Sequence, residues 1–158
     1  MTAITLEGLR DKNLVKLKAV NNAIFSIQYS DEYYSDAVAS GEFSKLAYYC
    51  DVCVGSITCR LEMNLDGVPC VYIMTLGVLA PYRRLGVGTT LLNHVLGLCT
   101  KYNFGMAYLH VQKDNEYAIN FFKKLGFAIT DTIKNYYMSS TSPDSHVITK
   151  YFDIQTTK

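Results

Sequence analysis

The run Val71 to Leu91 contains the residues best suited to chemistry: two adjacent cations followed by a glycine turn, Arg83-Arg84-Leu85-Gly86-Val87-Gly88-Thr89. Ahead of the turn lie an apolar stretch and a corner at Pro81; behind it begins a helical pattern. A turn of this kind points backbone N–H groups and the positive end of a helix at whatever lies in front of it. The arginines agree in sign, so the segment reads as an anion site suited to a phosphate-bearing cofactor.

The other reactive side chains are less organised. Five cysteines (Cys50, Cys53, Cys59, Cys70 and Cys99) sit mostly within apolar stretches, and Cys50-Asp51-Val52-Cys53 has CxxC spacing. No second pair or well-placed histidine completes a zinc set, so reduced, partly buried thiols and no metal are expected. Such thiols fit a cytosolic, or also nuclear, location. His94, within a helical run, and His146, at the start of a strand, receive no role.

These residues need a scaffold. The chain has 158 residues, 49% hydrophobic and 18% charged, enough for one globular domain spanning 1–158 with a real core. A net charge of +1 gives no general field for nucleic acid. No apolar run reaches the ~18 to 20 residues of a membrane span, and the first residues lack a signal-peptide core. Thirteen tyrosines without a tryptophan can line a wet apolar cleft.

Along the chain, Ile4-Thr5-Leu6 reads as a short strand, and Asp11 as the cap of a helix carrying Leu14, Leu17, Val20 and Ile24. Ser30 or Asp31 caps a second helix that stops at Gly41. Residues 46–50 and 52–61 alternate as strands around a turn at Asp51, and Asp66-Gly67 marks the hairpin leading to strand 68–78. Gly88 to Lys101 is an amphipathic helix; 106–111 is a nearly all-apolar strand, as expected in mid-sheet. Asp114 or Asn115 caps a last helix ended by Gly126, followed by strands 127–133 and 147–152 around a polar loop. The final residues are expected to fray. The order β-α-α-β-β-β-α-β-α-β-β predicts a mixed sheet with helices on both faces. Strands 68–78 and 106–111 should be parallel neighbours that splay into a cleft.

The glycine turn then narrows. A P-loop needs lysine after its second glycine, and Gly88-Thr89-Thr90 has none; a dinucleotide fingerprint needs a third glycine where Leu91 stands. What remains resembles the Arg/Gln-x-x-Gly-x-Gly/Ala turn of the GNAT acetyltransferases, which cradles the pyrophosphate of acetyl-CoA after the fourth strand. The resemblance extends to the NatE-type (San family) catalytic N-alpha-acetyltransferases. It is carried by Val71 to Arg84, by Tyr108-Leu109-His110-Val111-Gln112, by Lys134-Asn135-Tyr136-Tyr137, and by Ile24-Phe25-Ser26-Ile27-Gln28-Tyr29-Ser30-Asp31.

That resemblance implies an α/β GNAT fold: a mixed, mostly antiparallel sheet of about seven strands with four helices, the central strands splayed around the cofactor. Tyr72 and His110 would be the catalytic pair. Leu76, Gly77 and Val78 would meet the pantetheine arm, and a bulge near Met74 to Gly77 would turn a backbone N–H towards the thioester oxygen. Arg83, Arg84, Leu85, Gly86, Val87, Gly88 and Thr89 would hold the phosphates, with Asn115, Ala118 and Phe122 completing the cofactor wall. Phe25, Ser26, Ile27, Tyr29, Met74, Tyr136 and Tyr137 would hold the peptide. The implied reaction is acetyl transfer from acetyl-CoA to the N-terminal amine of proteins that keep their initiator methionine before a hydrophobic residue.

These residue types suit that reaction. An α-amine with pKa near ~8 is largely protonated at neutral pH and needs a base. His110, ordinarily near ~6.5, can serve directly or through water, whereas Tyr72, near ~10, is better cast as a relay. Attack is direct, so the cysteines are not nucleophiles.

Two positions depart from the family pattern. Ser26 stands where a proline is usual, which frees φ and predicts an altered peptide preference. Phe122 stands where a tyrosine lies near the cofactor sulfur, which predicts slower turnover. Two alternatives stay open: a lysine acetyltransferase, against which an apolar mouth argues, and a weakly active CoA-binding subunit of a ribosome-associated N-terminal acetyltransferase complex.

Overall fold

The computed structural model describes residues 3–25, 27–134 and 144–154. Seven strands form one sheet: β1 (Ile4–Gly8), β2 (Lys45–Tyr49), β3 (Val52–Met63), β4 (Pro69–Val78), β5 (Met106–Gln112), β6 (Ala128–Ile133) and β7 (Ser145–Tyr151). Their spatial order is β1-β2-β3-β4-β5-β7-β6, and only β4 and β5 run parallel. Four helices complete the fold: α1 (Leu14–Ile24), α2 (Asp31–Ala39), α3 (Val87–Lys101) and α4 (Glu116–Lys124). The sequence pattern placed every one of these elements in this order.

Helices α3 and α4 cover one face of the sheet, where Leu91, Leu92, Val95 and Ile119 meet Ile57, Val71, Ile73 and Ile148. Helices α1 and α2 cover the other, where Leu17 and Ala37 meet Leu46. Ser30 accepts the Tyr33 N–H at 3.2 Å and caps α2, and Asn115 accepts the Ala118 N–H at 3.2 Å and caps α4. Asp11 does not cap α1. It opens a short 3₁₀ turn, Asp11–Asn13, after which α1 begins at Leu14. The side chain of Asn13 folds back instead to accept the Arg10 N–H at 2.7 Å. The turn at Asp51 needs positive φ at two central residues, and it obtains them without glycine, from Cys50 (48°) and Asp51 (69°).

Two irregularities in β4 open the cleft. Against β3, Thr58 pairs with Thr75 and Cys59 with Ile73, so Met74 is an extra residue, the β-bulge expected in this segment. Against β5, pairing runs only from Cys70 to Tyr72, partnered by Met106 to Tyr108. Beyond Tyr72 the two parallel strands part, and β5 keeps its ladder with β7 as far as Gln112. The bulge and the splay occur at consecutive positions, so β4 leaves its neighbour where its twist changes.

Candidate active site

A cavity of about 440 Å³ occupies the splay. Its near wall is Leu76, Gly77 and Val78; its end is the turn carrying Arg83, Arg84, Gly86, Val87, Gly88 and Thr89; its far wall is the cap Asn115 with Ala118 and Phe122 of α4. The turn folds as its residues demand. Arg84 (φ 65°) and Gly86 (φ 89°) take left-handed backbone, and Arg83 Nε donates to the Val78 carbonyl at 3.0 Å, pinning the corner to the strand. Gly86 then starts α3, leaving the first N–H groups of that helix facing the cavity. A Cβ on Gly88 would sit 3.5 Å from the Phe121 ring, so the turn is packed close beneath α4. Cation, helix dipole and free N–H groups converge, and the pocket fits a pyrophosphate with an extended arm.

Leu85 does not line this cavity; its side chain is 45% exposed. Phe122 lines it while buried edge-on against Phe121 and Phe127 at 5.2 and 5.3 Å between ring centres. Tyr117 and Phe121, one turn apart on α4, also line the cleft. Their i, i+4 spacing beside Ala118 was the available signal.

Across β4 lies a second cavity of about 310 Å³, lined by Tyr29, Tyr33, Tyr72 and Met74 together with Ser30, Glu32, Asp36 and Arg60. Tyr72 projects into it, and its hydroxyl lies 2.8 Å from Nδ1 of His110. The two residues stand on adjacent strands at the point of splay. Burial lowers the pKa of His110 from its ordinary 6.5, with the Glu62 carboxylate partly opposing. A lowered value keeps the imidazole neutral at neutral pH, which is the form a proton acceptor needs. The thiols point the other way: burial raises Cys53, Cys59 and Cys70, and pushes Cys99 up to about 12. None of these four is primed for nucleophilic attack.

The remaining predicted peptide residues divide. Tyr29 and Met74 line the second cavity. Phe25 lies on the cofactor side, its ring 3.0 Å from where a Cβ on Gly77 would stand. Ile27 is 60% exposed and lines neither cavity. Ser26, Tyr136 and Tyr137 lie outside the described residues. The mouth expected to be apolar also carries the carboxylates of Glu32 and Asp36. Ser30 sets the start of α2, which places Glu32 in the first turn, favoured there by the helix dipole, and Asp36 one turn on along the same side. The i, i+4 spacing was visible in the sequence but resembled an ordinary solvated helix face.

Residues 14–127 match the acetyltransferase (GNAT) family. N-alpha-acetyltransferase 50 of Danio rerio is 47% identical over 148 residues, covering 93% of this chain and 88% of that protein. The probable N-acetyltransferase san of Drosophila melanogaster is 43% identical over 150 residues, covering 94% and 81%. The structure of Arabidopsis thaliana Naa50 in complex with the bisubstrate analogue CoA-Ac-MVNAL superimposes with a TM-score of 0.91 at 57% identity, covering 96% of this chain and all of that one. The phosphate-suited turn, the splayed strand and the long matches lead to one conclusion: this chain belongs to the GNAT acetyltransferase family, in its NatE (San) branch.

Proposed function

We propose that the chain is an acetyl-CoA-dependent N-terminal acetyltransferase acting on proteins that retain methionine before a hydrophobic residue. The observation that carries this is the Tyr72–His110 hydrogen bond of 2.8 Å at the splay, between the donor cleft and the second cavity. Acetyl-CoA supplies the acetyl group as a thioester. The turn at Arg83 to Thr89 holds its phosphates, and Leu76 to Val78 line the path of its arm. Tyr29, Tyr33 and Met74 form the peptide mouth, where a methionine side chain gains burial and sulfur–aromatic contact. The incoming ammonium loses its proton towards Tyr72, whose own proton passes to Nδ1 of His110. The amine, now neutral, attacks the thioester carbonyl directly; the C–S bond then breaks, the nitrogen gives up its second proton, and the CoA thiolate leaves and takes a proton from solvent.

Glu32 and Asp36 favour a second substrate class, the side-chain amine of lysine, because carboxylates at the mouth attract a cationic chain. One experiment separates the two. Purified protein is given acetyl-CoA with Met-Leu, Met-Val and internal-lysine peptides, and the modified nitrogen is mapped by mass spectrometry. Acetylated α-amines are the expected product; modification of lysine alone would favour the second reading. CoA binding with no turnover would instead favour a partner subunit of a ribosome-associated complex. The five free cysteines support a reducing compartment, the cytosol or nucleus, as the place of action.

A further inference from the structure

The acetyl-transfer scheme uses Tyr72 and His110 but gives no work to the polar side chains beside them on the sheet. Arg60 is the direct cross-strand partner of Tyr72 on β3, and Tyr108 is its partner on β5. Glu62 and His110 each lie two residues further along those strands, so all five share one face. Arg60 grips Glu62 through Nε at 2.8 Å and through Nη2 at 2.6 Å. The carboxylate of Glu62 in turn accepts the hydroxyl of Tyr108. The ring of Tyr108 lies 4.9 Å from that of Tyr72 and 6.4 Å from that of His110, between centroids. The Arg60 guanidinium lies 4.8 Å over the Tyr72 ring.

This arrangement is a poor stability device. Arg60 and Glu62 are 44% and 24% exposed, and ion pairs of that kind contribute little to folding. Its geometry serves another purpose. A tyrosine on a half-exposed sheet face can swing about χ1, and its hydroxyl then sweeps several ångströms. Tyr72 needs one position, in reach of His110. Tyr108 packs against both rings of the pair, and Glu62 fixes Tyr108 by its far end.

We propose that Glu62 and Tyr108 are positioning residues for the Tyr72–His110 pair, with Arg60 clamping Glu62 in place. This rests on the acetyltransferase reading for its kinetic consequence, though not for its structural one. The carboxylate sets the Tyr108 hydroxyl, the Tyr108 ring sets Tyr72 and His110, and the shared proton between them gains a defined path.

The test uses Glu62→Gln, Glu62→Ala and Tyr108→Phe in the full chain. Each should bind CoA with unchanged affinity, which verifies the fold. Glu62→Ala and Tyr108→Phe should lower kcat on a Met-Leu peptide roughly 10-fold, with KM for acetyl-CoA unmoved. Glu62→Gln, which keeps an acceptor for the Tyr108 hydroxyl, should restore most of the rate. In a Tyr72→Phe background the Tyr108→Phe change should cost clearly less than in the wild type, because only His110 is left to position. The imidazole nitrogen shifts of His110, read by NMR without peptide, should move in Glu62→Ala and Tyr108→Phe. Unmoved His110 shifts in both variants would overturn the proposal whatever the rates are. Equal losses in the wild-type and Tyr72→Phe backgrounds would overturn it too. A wild-type protein inert on every N-terminal peptide would defeat the acetyltransferase reading and leave the NMR outcome to decide this one.

Discussion

The donor cleft takes most of its wall from one stretch of chain between Leu76 and Thr89, whereas the acceptor cavity collects Tyr29 to Asp36 from α2 and the segment before it, Arg60 from β3, and Tyr72 and Met74 from β4. The first is built around backbone features, positive-φ residues, the start of α3 and an edge of β4 freed by the splay, with the rings of Phe25, Phe121 and Phe122 beside them. The second presents side chains with their own hydrogen bonds and charges. Backbone cradles suit a ligand that never changes, and every reaction here uses the same donor. Side-chain cavities suit a partner whose sequence varies. The difference also predicts that donor and acceptor functions can be damaged separately.

The sharpest separation comes from the proposed proton acceptor. His110→Ala should lower kcat by roughly 10²- to 10⁴-fold, while CoA affinity measured by calorimetry stays at the wild-type value. A parallel loss of CoA binding would mean that the two sites are not independent. The converse lesion is Gly86→Ala. Its φ of 89° costs an L-residue ~1–2 kcal/mol, so KM for acetyl-CoA should rise roughly tenfold with kcat nearly preserved. Next in size is the charge at the mouth. Glu32→Gln with Asp36→Asn should reduce kcat/KM roughly threefold for peptides with lysine after the first two residues, and leave neutral peptides unaffected. Equal effects on both peptide types would remove the carboxylates from substrate choice.

The pH profile tests the acceptor side alone. His110 has a lowered pKa, so its basic form persists to lower pH than an ordinary histidine's. At saturating peptide, kcat should therefore fall only as pH drops below 6.5, and a midpoint above that value would contradict the burial of the ring. The smallest expected change is Phe122→Tyr. The ring borders the donor cleft, and a hydroxyl there should raise kcat only about twofold, since a thiol of pKa near ~8.5 departs without much help.

The same contrast explains what the sequence revealed. The donor turn was readable because its parts are contiguous and each has a conformational signature: glycines for left-handed backbone, cations for phosphate, a helical period directly behind. The element order was readable because periods of two and 3.6 alternate cleanly along the chain. Of the acceptor cavity, Tyr29, Tyr72 and Met74 were legible through the family resemblance, while its other residues meet only after folding. Arg60 and Glu62 alternate with apolar residues as the polar side of any strand does, and Glu32 and Asp36 have the spacing of any solvated helix face. Asp11 illustrates a local version of the same limit. It has the chemistry of a cap, but Asn13, two residues later, bonds back to Arg10 and delays the helix.

The wall between the two cavities is itself a ladder of rings. Phe25 leans on Gly77, meets Tyr29 edge-on at 6.0 Å, and Tyr29 stacks on Tyr33 at 4.3 Å, whose hydroxyl reaches Thr75 beside the bulge at 2.8 Å. A ligand that shifts the ladder from one side is therefore felt on the other. Thermodynamic linkage makes that influence reciprocal: whatever factor acetyl-CoA applies to the affinity for peptide, peptide applies to the affinity for acetyl-CoA. The order in which the two arrive is then a matter of rates, while the stability of the ternary complex is the sum of the two separate affinities and one shared coupling energy.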